Sequence, residues 1–200
     1  TTKTKAFGYA APRFGHAAEA IAMLCEVYKK KAVFFAPASS QVTRHQAVVL
    51  AYKGSDLRFA RIAAMPALNS WIRKWAIEFN ATALPFGLSK NLTVTSGLVK
   101  MCVDFSTCYG QPNHFWCAVS TGTMIRALQI GWPKSKAHGI AVARNIKDGE
   151  IGNAVVKSYH KSFYDMADIT PEIETTMTYD AKAYEVFIKE AVKGSVFINV

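Results

Sequence analysis

The chain has 200 residues, half of them apolar and 12% aromatic, with 24 Lys plus Arg against 14 Asp plus Glu and a net charge of +10. That is enough apolar material for one sizeable core, as a single unit or in two lobes. No apolar run is long enough to span a bilayer, and Thr1 to Lys5 lacks the apolar centre of a secretory signal, so a cytoplasmic protein without membrane partners is expected.

The predicted elements follow in chain order. Ala17, Ala20, Ile21, Leu24, Cys25 and Tyr28 line one face of a helix over 16–31. Lys29, Lys30 and Lys31 then fall at its C-terminus, where cations complement the helix dipole. "AVFFAPA" reads as a buried strand stopped by Pro37. "SSQVTRHQAVVLAYKG" reads as a helix with a serine N-cap and a stop at Gly54. "DLRFARIA" alternates like a strand. "ALNSWIRKWAIEFNA" is an amphipathic helix with Leu68, Trp71, Ile72, Trp75 and Phe79 inward. The three aromatics read as core rather than a base-stacking platform. "ATALPFGL" is a short extended piece, and "TSGLVKMCVDFSTCYG" is another helix.

"HFWCAVS" is then a strand, "TMIRALQIGW" a helix and "AHGIAVARN" a strand. Beyond Ile146 the pattern weakens. "KDGEIGNAVVKSYHKSF" and "YDAKAYEVFIKEAVKG" read as a short and a longer helix, and "SVFINV" as a final strand. Strand and helix alternate at α/β spacing, which predicts a mostly parallel sheet with helices on both faces. Residues 1–200 read as one α/β unit. A smaller lobe over 30–90 with a larger one over 1–29 and 91–200 is the expected subdivision.

Cys25, Cys102, Cys108 and Cys117 include no C-x2-C pair, so neither a disulfide framework nor a structural zinc site is expected. His16, His45, His114, His138 and His160 form no H-E-x-x-H pair, and no metal is expected. No G-x-S-x-G elbow is present. The positive charge favours anionic partners: a phosphorylated small molecule, nucleic acid or an acidic protein.

Chemistry concentrates in Ser120-Thr121-Gly122-Thr123, between a buried strand and a helix. Such a loop exposes backbone N–H groups at a helix N-terminus, where the dipole favours a phosphate. Gly122 lets backbone approach closely, and the hydroxyls add donors. A plain helix N-cap is the competing reading. Arg13, beside the earlier glycine loop, is placed to clamp a carboxylate or phosphate.

"AVSTGTMIRALQIGWPKSKAHGIAVAR" resembles the phosphate-loop unit of fold-type II pyridoxal-phosphate enzymes, the tryptophan synthase β, cysteine synthase and aminocyclopropane-carboxylate deaminase group. "YAAPRFGHAAEAIAM" is similar to that family's strand, S-G-N-H loop and Ala-rich helix, with Gly15 as loop glycine. "TYDAKAYEVF" looks like a V-Y-T-G-K-A segment, with Tyr179 and Lys182 on its motif positions. The resemblance runs nearly the whole chain in order.

It implies a tryptophan synthase β-like fold and pyridoxal phosphate as cofactor. Ser120, Thr121, Gly122 and Thr123 would hold the cofactor phosphate, with Gly15 in the second cofactor loop. His16 would lie near the ring or substrate carboxylate, and Tyr179 against the pyridine. The departures concern the lysine that forms the Schiff base with the cofactor. Only 14 residues precede Gly15, and Lys3 and Lys5 read as tail residues. Phe14 and His16 replace the usual Ser and Asn.

Two functions are therefore expected from the sequence. One is a lyase- or deaminase-type enzyme acting on an amino-acid-like substrate. The other is a basic pseudoenzyme that binds a phosphorylated ligand, nucleic acid or an acidic protein, with either a lost lysine or flanking segments outside this chain. A homodimer is compatible with both. A phosphoribosyltransferase-like reading lacks that family's paired acidic residues.

Overall fold

The computed structural model describes residues 4–38, 41–61, 64–147 and 149–199. The expectations for Lys3, for a serine cap at 39–40 and for Val200 lie outside them. The chain divides into two units, Thr1–Leu88 and Ser89–Val200, each built on its own parallel sheet. The single mostly parallel sheet is thus realised as two parallel sheets of four strands.

The first sheet contains β1 (Ala6–Ala10), β2 (Lys31–Pro37), β3 (Ser55–Ala60) and β4 (Thr82–Ala83), in the order β3-β2-β1-β4. β1 pairs in parallel with β2 from Ala6 opposite Lys31 to Ala10 opposite Phe35. This pairing places residues 1–29 in the first unit rather than with 91–200. Successive strand residues face opposite sides. Tyr9, Phe34 and Ala36 pack with α1 (Ala17–Val27) and with Val49 of α2 (Arg44–Ala51). Ala10 packs on the other side against Leu68 and Ile72 of α3 (Met65–Glu78).

Local chemistry sets the ends of these helices. Thr43 and Gln46 form a reciprocal capping box that starts α2. α1 ends at Val27, because Lys29 turns to φ 52° and its N–H bonds Glu26 O. The lysine cluster therefore lies past the last turn, and Lys31 opens β2. Leu68, Ile72 and Trp75 are buried as expected from α3's periodicity, but Phe79 is 58% exposed. It follows the helix and stacks on Trp75 at 5.8 Å.

The second sheet holds β5 (His114–Val119), β6 (Lys136–Ala141), β7 (Val155–Ser158) and β8 (Ser195–Ile198), in the order β7-β6-β5-β8. Phe115, Cys117 and Val119 face α4 (Leu92–Tyr109) and α5 (Thr123–Gly131). Trp116 and Ala118 face α6 (Asp180–Glu190). α4 begins earlier than its apolar pattern suggests, because Asn91 accepts from Val94 N at 3.1 Å. The segment read as a short helix after Ile146 instead supplies β7. Its β-branched Val155 and Val156 pair in parallel with His138 and Gly139.

α4 and α5 meet where Gly131 has no side chain. A Cβ there would lie 2.4 Å from Cys102 Cβ, and Cys102 is fully buried. Gly131→Val is expected to destabilise the second unit by about 1–3 kcal/mol through overpacking. The midpoint of urea unfolding checks this, and an unchanged midpoint would show that the helices separate freely.

Candidate functional site

β5, the Ser120–Thr123 loop, α5 and β6 form a parallel β–α–β unit, with β5 and β6 paired from His114 opposite Lys136 to Val119 opposite Ala141. The loop therefore sits at the carboxyl end of a central strand, the place where open α/β sheets hold ligands. Gly122 is the N-cap of α5, with φ 73° and ψ 6°. The N–H groups of a first helical turn have no partner within the helix, and Gly122 itself has no side chain to offer them.

The loop is tightly built. A Cβ on Gly122 would lie 2.4 Å from Glu150 O and 3.1 Å from Ile151 Cγ2. Arg126 Nη1 donates to the same Glu150 carbonyl at 2.5 Å. The Thr121 and Thr123 hydroxyls lie 3.1 Å apart. Glu150 is held in turn by Arg144, whose Nη1 and Nη2 reach its carboxylate at 2.8 and 2.9 Å. Those bonds push the Glu150 carboxyl down to about 2. Arg126 thus ties the Glu150 backbone to α5, while the Arg144 pair fixes the Glu150 side chain.

Tyr179 precedes α6 and packs against the buried cluster of Trp116, Ala118, Ile140, Val142, Tyr159 and Ala183 on the α6 side of the sheet. Burial first, then the nearby Asp180 and Cys117, push its hydroxyl upward, so the phenol is protonated at neutral pH. Cys117 is fully buried, and its thiol is pushed up by burial and then by Asp180. All four cysteines are free, and Cys108 is exposed.

Lys182, on the second motif position, is fully buried. Its Nζ donates to Ser162 O at 2.6 Å and Phe163 O at 3.3 Å, and lies 5.5 Å from the Tyr159 ring centroid. Desolvation lowers its pKa. One turn on, Glu185 accepts from Tyr159 Oη at 2.7 Å, Asp168 N at 2.9 Å and Lys189 Nζ at 2.6 Å. α6 therefore carries a buried polar seam that its periodicity does not announce, tying 159–168 to the sheet.

In the first unit, the β1–α1 turn carries Arg13, Gly15 and His16. Gly15 has φ 119°, a conformation that favours glycine. Arg13 is exposed, its guanidinium 5.8 Å from the Phe14 ring centroid, and its carbonyl accepts from Thr43 Oγ1 at 3.2 Å. His16 is joined by two residues not singled out in the sequence. Glu19 lies one turn along α1, and His45 lies at the start of α2. Their carboxylate and imidazoles form one hydrogen-bonded group.

The histidines, which form no H-E-x-x-H pair in the sequence, thus fall partly into pairs in space. His114 and His138 are also joined, Nδ1 to Nε2 at 3.0 Å, and Trp116 stacks on His138 at 4.1 Å. Burial, His114 and Lys136 lower the His138 pKa.

This fold recurs among solved structures. An ACC deaminase homologue matches 98% of this chain and 73% of its own length, with TM-score 0.85 and 13% identity. A hydrogen sulfide-producing enzyme from Fusobacterium nucleatum matches 100% of this chain and 77% of its own, with TM-score 0.67 and 15% identity. A threonine deaminase from T.th. matches 99% of this chain and 63% of its own, with TM-score 0.62 and 15% identity. At such identities the likeness establishes the fold, and it is the fold implied by the resemblance in the sequence. No protein-family model matches the chain, and no curated protein sequence matches it. Among the described residues, no helix is long and apolar enough to cross a membrane.

Proposed function

We propose that the Ser120–Thr123 loop holds the phosphate of pyridoxal phosphate or a closely related phosphorylated ligand, on the scaffold used by amino-acid lyases and deaminases. The observation that carries this reading is the α5 N-terminus at the carboxyl end of β5, entered through a left-handed Gly122 that brings backbone close to the loop. The Thr121 and Thr123 hydroxyls beside it suit a phosphate. Tyr179 is the residue proposed to lie against the ligand ring, as a neutral phenol. In the first unit, the Gly15 turn with Arg13 is proposed to attract an anionic group through the guanidinium. In an enzyme of this scaffold the bound cofactor would supply an electron sink at the substrate's Cα.

The phosphate end of such a cofactor fits the residues present. For its covalent end, we propose that no lysine of this chain forms the link. Lys182 supports this reading, because its ammonium is already committed to two backbone carbonyls. That favours, for this chain alone, a ligand-binding role over turnover of an amino acid. Incubation with pyridoxal phosphate, borohydride reduction and peptide mapping checks the point. Sparse labelling spread over exposed lysines is expected. Stoichiometric labelling of a single lysine would overturn the binding role and favour the lyase or deaminase.

A further inference from the structure

We propose that His16, Glu19 and His45 form a binding site for a divalent transition-metal ion of the zinc type, with three protein ligands and an open position for water or another ligand. The site lies wholly within the first unit. It assigns His16 to a metal rather than to the cofactor ring, and it stands independently of the phosphate loop.

The geometry points to this from three elements of local structure. His16 is the residue at the entry to α1, and Glu19 follows three residues later, so both project from the same end of the helix. His45 is the second residue of α2, where the capping box at Thr43 fixes the start of the helix. The pairing of α1 and α2 on one face of the sheet then brings together residues that are 26 and 29 positions apart in the chain.

Glu19 accepts from both imidazoles through different oxygens. Its Oε2 lies 3.1 Å from His16 Nδ1, and its Oε1 lies 2.5 Å from His45 Nδ1. The two rings meet edge to face, with centroids 4.8 Å apart and planes at 81°. One ligand atom from each of the three residues can be chosen so that all lie within 4.8 Å of one another. Among the described residues, this is the group in which three such donors converge.

The chemistry of the donor set narrows the occupant. Two neutral imidazoles and one carboxylate suit zinc and its first-row neighbours, and three protein ligands with one open position are the arrangement of reactive rather than structural zinc sites. Ligand atoms about 2.0–2.2 Å from a tetrahedral ion sit about 3.3 Å from one another. The three side chains need only small rotations to reach that arrangement. They are 36%, 20% and 15% exposed, which is shielded enough to hold an ion and open enough to admit one. A hydrogen-bonded His–Glu–His group without metal is the competing description. It uses the same atoms, so metal binding itself decides between them.

The test is titration of the full chain, freed of metal by chelation, with zinc and with cobalt(II), followed by calorimetry and by visible absorption. The expected result is one ion per chain, with cobalt bands of a four-coordinate N/O site. His45→Ala and Glu19→Gln, each checked for folding by circular dichroism, should each weaken zinc on the order of tenfold or more, at least the loss seen when a supporting residue is removed. His138→Ala should leave it unchanged. The absence of stoichiometric binding to the parent chain would overturn the proposal. So would binding that survives both His45→Ala and Glu19→Gln, or binding lost equally in His138→Ala.

Discussion

Gly122→Val is expected to abolish phosphate-ligand binding and to destabilise the second unit. Two costs add. The backbone at residue 122 has φ 73°, where a β-branched residue costs about 1–3 kcal/mol. A Cβ would also meet Glu150 O at 2.4 Å, and that carbonyl cannot yield alone. It accepts from Arg126, and its own side chain is locked to Arg144. Either Glu150 and Ile151 move away or α5 changes its entry angle, and both displace the N–H groups that would face a phosphate. Overpacking of this kind costs a further ~1–3 kcal/mol. Denaturant unfolding and ligand titration on the same preparation separate the effects. Thr121→Val, which removes one hydroxyl and keeps the loop backbone, should leave stability near that of the parent while weakening the ligand. Full ligand binding in Gly122→Val would mean that the loop is a turn and nothing more.

Glu185→Ala is expected to be among the most destabilising single substitutions on α6. The side chain is 2% exposed and receives three donors. Its removal leaves Tyr159 Oη and Asp168 N without their acceptor, each costing about 1–3 kcal/mol where water cannot reach. Glu185→Gln, which keeps an acceptor oxygen, should cost less. The same carboxylate predicts a pH dependence. Burial raises its pKa, but Lys189, Tyr159 and the Asp168 N–H together outweigh burial, so the net direction is down from the ordinary value of 4.5. A depressed carboxyl contributes stability that is fully present above 4.5 and is lost as pH falls through the lower folded value. The parent chain should therefore lose stability on acidification below about 4.5, and Glu185→Gln should show a shallower loss in that window. Parallel acid titrations of the two proteins would contradict the assignment.

Much of the architecture is legible in the sequence because it depends on short-range pattern. The apolar run from His114 to Val119 reads as a strand buried on both faces, and Phe115 and Trp116 do pack on opposite sides. The Ser120–Thr123 loop and α5 follow where periodicity places them. Pairing is less legible, since alternation of strand and helix does not say which strands share a sheet. Hence β1 joins β2 in the first sheet, which carries β1 and α1 into the first unit. β7 escaped because it is four residues long, and its two valines can be placed on a helix as readily as on a strand.

The site divides in the same way. Gly122 and Tyr179 carry local motifs, so they can be named before any fold is known. Glu19 and His45 carry none, and they become candidates only when α1 lies beside α2. Lys182 stands on a motif position, yet its bonds to Ser162 O and Phe163 O depend on a segment without regular structure. Helical spacing alone places it on the face of Tyr179 and says nothing of those carbonyls.

Phosphate binding at the N-terminus of α5 is best tested by titrating the chain with pyridoxal phosphate and, separately, with pyridoxal. The two compounds differ only in the group the loop is proposed to hold. Amide resonances of the second unit report where each binds. Pyridoxal phosphate should bind saturably, with its largest shifts at Thr121 to Met124. Pyridoxal should bind more weakly on the order of tenfold, a difference of about 1.4 kcal/mol. Equal affinity for the two compounds, or shifts that leave Thr121 to Met124 unmoved, would contradict phosphate recognition by this loop.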